Sequence, residues 1–251
     1  MTRESVQVSL QDTWYSSRNP TRRWLHCARR DFIISKIRHW ARASSGAALD
    51  VGCGSGVYLP TLAELYAAVV AVDANESLVR NAVPLAQKYP NVRLVAGDIS
   101  RSGFADGAFD LIVCSEVVEH VADPAKVITE LHRLLKPHGL LILSTPQSWS
   151  TLEVTQRIGF MPGVIDIVRL IYKEPVFDAG HISLMHERQV TQHLDEAGFH
   201  IRERFKAGLY LPLVAEFLGQ RGLRLERWLE GRIRGGALDW LLWTQYYVAE
   251  K

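Results

Sequence analysis

The chain has 251 residues, enough for a single α/β domain, and its 29 Lys and Arg against 27 Asp and Glu give a formal net charge of +2. With 47% hydrophobic and 22% charged residues it has the composition of a globular protein, which excludes a disordered or fibrous chain. So small a net charge also argues against nucleic acid as a partner.

Helical and strand patterns alternate along the chain as far as Pro146. An amphipathic helix is predicted over 22–42, where apolar side chains recur at helical spacing. Short apolar runs follow, which are typical of buried parallel strands. The predicted strands span 47–51, 67–72, 92–96, 109–114 and 140–143, and the helices between them span 59–66, 76–88 and 124–135. This alternation predicts a doubly wound parallel sheet.

The pattern changes after Pro146. Residues 148–178 are apolar and partly helical without a strand signal, so we expect an insertion that lies over the sheet. The later elements are predicted as a helix over 187–197, a strand over 199–205, an Arg-rich helix over 209–234 and a final strand over 240–248.

A glycine-rich turn ends the first predicted strand. The glycines alternate with other residues, at Gly52, Gly54 and Gly56. They let the chain turn sharply and let a ligand lie against bare backbone. Asp73 ends the second predicted strand, where a carboxylate can accept both ribose hydroxyls of an adenosine. The two features predict a site for an adenine-ribose ligand.

Two details of this turn disfavour a dinucleotide such as NAD. The pattern G-x-G-x-x-G needs glycine at the position of Val57. Asp50, which we place inside the turn, would repel a pyrophosphate but could meet a cation. A ligand with a ribose and a positive charge but no phosphate satisfies both constraints, and S-adenosylmethionine is such a ligand.

The order of these motifs resembles the class I S-adenosylmethionine-dependent methyltransferases, in particular the methyltransferase type 11 and ubiquinone-pathway O-methyltransferase groups. The resemblance runs from 47 to 146 and includes the turn at 134–139 before the fifth strand. It implies cofactor contacts from Asp50, Gly52, Cys53, Gly54, Gly56, Asp73, Ala74, Asp98, Ile99, Ser115 and Glu116. In that family the equivalents of Asp73 hold the ribose, those of Asp98 and Ile99 the adenine, and those of Ser115 and Glu116 the methionine end.

Two histidines are candidates for the chemistry of transfer. A hydroxyl acceptor must lose its proton, so a base or a metal is expected, and histidine is the usual base near neutral pH. His120 follows the fourth strand and His181 follows the insertion. We predict both as catalytic residues.

A divalent metal is the alternative to a histidine base. The run Glu116-x-x-Glu119-His120 with the later His181 resembles ubiquinone-pathway O-methyltransferases and small-RNA 2′-O-methyltransferases, in which two glutamates and two histidines hold a metal. On a helical turn this spacing would bring Glu116, Glu119 and His120 to one face. A metal on these residues stays open, and we favour the metal-free reading.

The segments outside the cofactor core would form the acceptor site. The apolar residues of 152–172 suggest a lid for a hydrophobic acceptor, a lipid-facing surface or a dimer contact, or simply a cover for the sheet. Trp14 or Tyr15 could fold over the cofactor.

Two arginine-rich runs are interpreted as solvated faces that could also meet anionic headgroups. The first contains Arg18, Arg22, Arg23, Arg29 and Arg30, and the second contains Arg221, Arg224, Arg227, Arg232 and Arg234, with Glu226 and Glu230 among them.

The cysteines and the hydropathy bear on location. Cys27, Cys53 and Cys114 form no C-x-x-C motif, which fits a reducing cytoplasm. No run reaches the ~18–20 apolar residues that span a bilayer. We expect a cytoplasmic protein, at most peripheral at a membrane surface, with a homodimer left open.

The sequence as a whole predicts one Rossmann-like α/β domain with a seven-stranded sheet whose last strand is antiparallel. Residues 1–46 would form an N-terminal cap helix, 47–146 the cofactor core, 147–185 the inserted cap and 186–251 the rest of the sheet. The predicted reaction is methyl transfer from S-adenosylmethionine to oxygen, with less support for nitrogen, of a small hydrophobic molecule. The alternatives are carbon methylation of a phenolic or quinone ring, and a non-catalytic subunit that binds the cofactor.

Overall fold

The computed structural model describes residues 15–41, 46–163 and 180–251. Its sheet consists of β1 (Ala47–Val51), β2 (Ala68–Asp73), β3 (Val92–Ala96), β4 (Phe109–Ser115), β5 (Leu135–Pro146), β6 (His200–Ala207) and β7 (Thr244–Glu250). The strand order is β3-β2-β1-β4-β5-β7-β6. Strands β1 to β5 pair in parallel, and β7 runs antiparallel to both β5 and β6. The predicted seven-stranded sheet with an antiparallel last strand is confirmed.

Helices cover both faces of this sheet. They are α1 (Pro20–Trp40), α2 (Leu59–Leu65), α3 (Glu76–Ala86), α4 (Pro124–Leu134), α5 (Thr151–Gly159), α6 (Glu187–Glu196) and α7 (Pro212–Ile233). Strand β4 shows why the fold is doubly wound, because its residues alternate between two cores. Ile112 packs with α4 and α6 on one face, and Leu111 packs with α1 and α2 on the other. Burial on both faces explains why these strands are continuously apolar.

The structure differs from the predicted bounds at two strands. The predicted turn at 134–139 lies within β5, where His138 takes a left-handed φ of 62° and the pairing with β4 shifts register after Phe109. The final strand starts at Thr244 and not at Trp240, because Asp239–Leu241 form a 3-10 turn that the Leu241 N–H closes onto the Leu238 carbonyl, at 3.1 Å.

The insertion leaves the sheet after β5 and returns beside it. A parallel bridge pairs Gln147 with Met185, so that the two ends of the insertion lie together next to β7. Within the insertion, the structure describes residues 147–163, which include α5, and residues 180–185, whereas the predicted lid residues 164–172 lie outside the described residues. Within the described part of the chain, no helix is long and apolar enough to cross a membrane.

The arginine-rich runs are not simply solvated faces, which corrects that interpretation. Arg29 is buried in α1, and the α7 carboxylates of Glu226 and Glu230 are buried too, with Glu226 at 0% exposure. Arg29, Glu226 and Glu230 each lie one helical turn from other buried residues of their helix, so their charged groups point into the protein.

Candidate active site

The glycine turn joins the carboxyl end of β1 to α2. Gly52, Gly54 and Gly56 all have a left-handed φ, of 68°, 52° and 84°, which L side chains rarely adopt. A Cβ on Gly52 would lie 2.2 Å from a methyl carbon of Val117, so bare backbone is also required there by space. The predicted turn is thus present at the carboxyl end of β1, with Gly54 and Gly56 buried and Gly52 partly exposed.

Asp50 lies at the edge of this turn with its carboxylate buried. It is the fourth residue of β1 and only 1% exposed, so its predicted position inside the turn is wrong. Its Oδ2 has no hydrogen-bond partner within the described part of the chain. Burial, and then the nearby Asp73, raise the pKa of Asp50 to about 8. A buried carboxylate with an unpaired oxygen is suited to receive an ammonium group, which S-adenosylmethionine carries.

Asp73 is oriented by two backbone amides. Its carboxylate accepts from the Gly54 N–H at 2.9 Å and from the Asn75 N–H at 2.8 Å. Burial raises the pKa of Asp73, although both amides lower it. The first of these bonds ties the end of β2 to the glycine turn, so the two halves of the predicted adenosine site lie together.

The predicted adenine contacts lie at the end of β3. Asp98 is exposed, and its Oδ1 accepts from the backbone N–H and the hydroxyl of Ser100, at 2.9 and 2.8 Å. The backbone bond holds the pKa of Asp98 below its usual range. Ile99 is buried beside it, whereas Ala74, after β2, is exposed. Their contacts with the cofactor stay predictions.

Glu116 leaves β4 in a left-handed conformation, with a φ of 58°. Its two oxygens accept from Arg29 Nη1 at 2.8 Å and from Ser144 Oγ at 3.0 Å. The Ser115 hydroxyl continues this network, 3.0 Å from Ser144 Oγ and 3.2 Å from the Tyr58 hydroxyl. Burial, the largest single influence, lowers the pKa of Arg29, but Glu116 together with the neighbouring Tyr58, Tyr15 and Tyr246 raises it above its ordinary value.

The predicted helical turn at Glu116, Glu119 and His120 is wrong. Because Glu116 is left-handed and only Val118–His120 form a short 3-10 turn, Glu116 faces α1 while the other two point toward the insertion. Within the described part of the chain, Glu119, His120 and His181 each offer a ligand atom, and these atoms lie within 4.8 Å of one another. The structure therefore brings three of the four tentative metal ligands together.

Glu119 is the fully buried member of this cluster. Its Oε2 accepts from the Thr145 hydroxyl at 2.9 Å, and its Oε1 has no hydrogen-bond partner among the described residues. Burial, with the neighbouring charge of Glu116, raises the pKa of Glu119. Its backbone carbonyl accepts from the N–H groups of Ile182 and Ser183, at 2.9 and 3.0 Å, which fixes the chain that carries His181.

His181 is held by a carboxylate that the sequence reasoning missed. Glu153 of α5 is buried, and its two oxygens lie 3.2 Å from His181 Nδ1 and 3.2 Å from Trp243 Nε1, which donates to it. Burial disfavours protonation of His181, but Glu153 outweighs this and raises the His181 pKa.

The pKa values of His120 and His181, the two histidines predicted as catalytic, are shifted in opposite directions. Their rings are 5.1 Å apart. Burial and the neighbouring His181 lower the pKa of His120, whose Nδ1 lies 3.4 Å from the Gly180 carbonyl. At neutral pH the environment therefore favours a neutral His120 beside a more basic His181.

The N-terminal segment also reaches this region. Trp14 lies outside the described residues, and Tyr15 packs against α1 with the Arg30 guanidinium 5.5 Å from its ring centre. Burial raises the pKa of Tyr15, which also senses the charges of Arg29 and Glu116. Tyr15 therefore lies near Arg29 and Glu116, on the methionine side of the predicted cofactor site, and the choice between Trp14 and Tyr15 as the cofactor's cover stays a prediction.

The fold is the Rossmann-like fold of class I methyltransferases. A structure of an S-adenosylmethionine-dependent methyltransferase from Aquifex aeolicus has the same fold, with a TM-score of 0.59, 18% identity, and coverage of 100% of this chain and 99% of that one. Residues 49–143 of the chain match the family described as a methyltransferase domain. This match confirms the resemblance seen in the sequence and supports S-adenosylmethionine as the predicted cofactor.

Relatives of known sequence agree with this class. A Mycolicibacterium smegmatis protein named as a probable S-adenosylmethionine-dependent methyltransferase is 25% identical over 175 residues, which are 70% of this chain and 59% of the relative. A ubiquinone biosynthesis O-methyltransferase of Pseudomonas paraeruginosa is 38% identical over 120 residues, 45% of this chain and 51% of the relative. The chain thus spans about half to three fifths of the length of these relatives.

Proposed function

We propose that the protein transfers the methyl group of S-adenosylmethionine to a hydroxyl oxygen of a small hydrophobic molecule. The observation that carries the proposal is the unpaired, buried oxygen of Asp50 beside the left-handed glycines, because it suits a cationic ligand that lies on bare backbone. The relative named as a ubiquinone biosynthesis O-methyltransferase supports oxygen as the acceptor atom.

The chain's own residues would hold the cofactor at the ends of β1, β2 and β4. Asp50 would receive its ammonium group, Asp73 its ribose hydroxyls, and Ser115 and Glu116 would lie at its methionine end. The bound cofactor supplies a methyl group that is already activated for displacement. The remaining work of the protein is to orient the acceptor, exclude water and remove a proton.

His181 would be the base that removes this proton. Its Nδ1 faces Glu153, so Nδ1–H donates to the carboxylate and Nε2 is left to accept a proton. The carboxylate then stabilises the imidazolium that forms, as in other carboxylate–histidine pairs. His120, whose environment keeps it neutral, would line the same site and orient the acceptor.

We propose that this transfer needs no metal. Glu119, His120 and His181 could offer three ligand atoms to a cation, which would act on the acceptor oxygen as a Lewis acid. The fourth tentative ligand, Glu116, has both oxygens engaged by Arg29 and Ser144 and would have to leave that ion pair. Activity that survives EDTA supports the metal-free transfer, and loss that Mg²⁺ or Zn²⁺ restores contradicts it.

A labelled cofactor tests the proposal. The protein is incubated with S-adenosylmethionine carrying a ¹³C methyl group and a panel of apolar phenols and catechols, and products are observed by NMR. A methoxy signal is expected. A labelled methyl group attached to a ring carbon would instead show carbon methylation. If calorimetry detects binding of S-adenosylmethionine but no acceptor gives a product, a non-catalytic subunit is favoured. No heat with either the cofactor or its demethylated product would overturn the cofactor assignment as well.

A further inference from the structure

The helix α7 packs with its acidic residues inward. Among its buried residues are Glu226 and Glu230. Glu226 accepts from the Leu211 N–H at 2.7 Å and from the Thr21 hydroxyl, and Glu230 accepts from the N–H groups of Gly208 and Leu209, both at 3.1 Å. These carboxylates satisfy the backbone of the segment between β6 and α7, which explains why the charged side faces the protein.

α7 is not one straight helix, because Gly219 interrupts it with a non-helical backbone (φ 49°, ψ −124°), and both halves have large apolar side chains that are exposed. The exposed ones are Leu213, Phe217, Leu218, Leu225 and Trp228, and their exposures range from 40% to 72%. Trp240, which follows α7, is also exposed. This is the reverse of an ordinary surface helix, whose apolar stripe faces the core. A patch with several large apolar groups side by side is typical of an interaction surface.

Only positive charge accompanies this patch on α7. Arg221, Arg224 and Arg227 are exposed among the apolar residues, and the Arg232 guanidinium lies 4.1 Å from the ring centre of Trp228. The acids of the helix have internal partners, since Glu216 pairs with Arg22 at 2.8 Å and the other two are buried. We name the five exposed apolar residues and Arg221, Arg224 and Arg227 the α7 face.

We propose that the α7 face docks on the surface of an anionic lipid bilayer. A helix with bulky aromatic and aliphatic groups beside arginines lies in a bilayer interface, where the apolar groups enter the acyl boundary and the guanidinium groups meet anionic headgroups. The arginine stems add apolar contact while their charged ends stay in the headgroup layer.

The charge of the face disfavours a second copy of the chain. A two-fold dimer would place the same surface on itself and bring the arginines of both copies together, with no exposed acid of α7 to pair them. An anionic bilayer supplies the complementary charge, and being fluid it needs no pocket for each apolar side chain. These two points favour the bilayer over a folded partner.

The inner side of α7 contacts the helix that carries Glu153. Ala215 of α7 lies in one apolar cluster with Leu25, Tyr210 and Trp243, and Leu152 of α5 packs against it. Docking through the outer side of α7 would therefore bring the proposed acceptor site close to the bilayer, where an apolar acceptor would dissolve. The docking itself does not depend on the proposed methyl transfer.

Vesicle co-sedimentation of the full chain tests this proposal directly. We expect binding to phosphatidylcholine vesicles that contain phosphatidylglycerol, weakened by salt, and little binding to phosphatidylcholine alone. Each arginine near an anionic surface contributes roughly a fivefold change in partition, so the triple variant R221Q/R224Q/R227Q should bind about 100-fold more weakly. The variant F217S/W228S should lose at least about tenfold by removing buried apolar area.

A matched control is available on α3. The variant R80Q/V83S also removes an exposed arginine and an exposed apolar residue, and it should bind vesicles as the unmodified protein does. Circular dichroism and binding of S-adenosylhomocysteine should be unchanged in all three variants, since the replaced side chains are exposed. Failure of the unmodified protein to bind anionic vesicles overturns the proposal. A dimer in solution that F217S/W228S abolishes would also overturn it, because the face would then contact a second copy.

Discussion

Two buried carboxylates of the candidate site, Asp50 on the cofactor side and Glu153 on the acceptor side, differ in how their oxygens are engaged. Asp50 has an oxygen with no partner among the described residues, and its pKa is raised to about 8. On the acceptor side, Glu153 uses both oxygens, toward His181 and Trp243, whereas Glu119 resembles Asp50 because one of its oxygens has no partner among the described residues. An unpaired carboxylate can receive a cation, whereas a paired one positions its neighbours.

The two sides also differ in how far apart along the sequence their contacting residues lie. Gly54 and Asp73, which join the cofactor side, are 19 residues apart. On the acceptor side, Glu153 lies 90 residues from Trp243, and at the methionine end Glu116 lies 87 residues from Arg29. The adenosine part of the cofactor side is thus built by neighbouring strands, whereas the methionine end needs α1, and the acceptor side forms only when the insertion and β7 come together. Variants should therefore separate cofactor affinity from turnover.

The largest expected effect is on turnover when the proposed base is removed. His181→Ala should lower kcat by about 10²–10⁴-fold, the usual contribution of a general base. The Kd for S-adenosylmethionine should stay nearly constant, because the proposed cofactor contacts of Asp50 and Asp73 are untouched. Steady-state kinetics and calorimetry measure the two quantities, with the exposed His39→Ala as control. An unchanged kcat would remove His181 from the mechanism.

The second effect belongs to the cofactor side. Asp50→Asn should weaken S-adenosylmethionine binding by about 100-fold, because a charge-assisted contact to the ammonium group is lost. The same variant should raise the Tm of the unliganded protein by a few degrees. Folding raises the pKa of Asp50, so its contribution to stability falls as the pH rises from its unfolded pKa toward about 8, and asparagine removes that cost. The exposed Asp195→Asn is the control, and cofactor affinity that survives in Asp50→Asn contradicts the assignment.

The parts of the fold that could be predicted from the sequence are those with a signal in a short, local pattern. The parallel strands and the glycine turn follow from contiguous segments, so they could be predicted from local patterns, whereas the antiparallel last strand was expected from the family resemblance. Arg29 was misjudged because charge alone was considered. Its position one turn from Leu25 and Ile33, both buried in α1, would have placed it inside.

Long-range contacts account for the rest. Glu153 is an acid within an apolar segment, which signals an internal partner, but no local pattern names Trp243 or His181 as that partner. The bend at Glu116 was missed because its spacing from Glu119 fits a helix, and neither its left-handed φ nor its ion pair with Arg29 of α1 has a signal in the neighbouring sequence.

The ion pair between Arg29 and Glu116 gives a stability prediction. Arg29→Met should lower the free energy of unfolding by about 3–5 kcal/mol, because it leaves a largely buried carboxylate without its cation. The double variant R29M/E116Q should recover most of this loss, since no uncompensated charge remains. Urea unfolding of both variants measures the difference. Equal losses in the two would show that Arg29 acts through packing on Trp243 and not through its charge.

A smaller effect concerns the pH dependence of turnover. The base must be deprotonated, so kcat should rise with pH through the pKa of His181, which Glu153 holds above its ordinary value. Glu153→Gln removes that charge and should shift this limb of the profile to lower pH, while kcat above it falls about tenfold because the imidazolium is less stabilised. Glu130→Gln, at a surface ion pair, should leave the profile unchanged. An unshifted limb in Glu153→Gln would make its role purely structural.

The smallest effect is a proton that Asp50 should release when the cofactor product binds. Near neutral pH the unliganded carboxyl is mostly protonated, because its pKa is about 8. The ammonium group of S-adenosylhomocysteine favours the carboxylate, so binding should lower this pKa and expel up to one proton. Calorimetry in buffers of different protonation enthalpy counts that proton, and the count should fall toward zero above the pKa and in Asp50→Asn. Binding without release near neutral pH would mean that Asp50 is ionised before the ligand arrives, and the contrast between the two sides of the site would then rest on geometry alone.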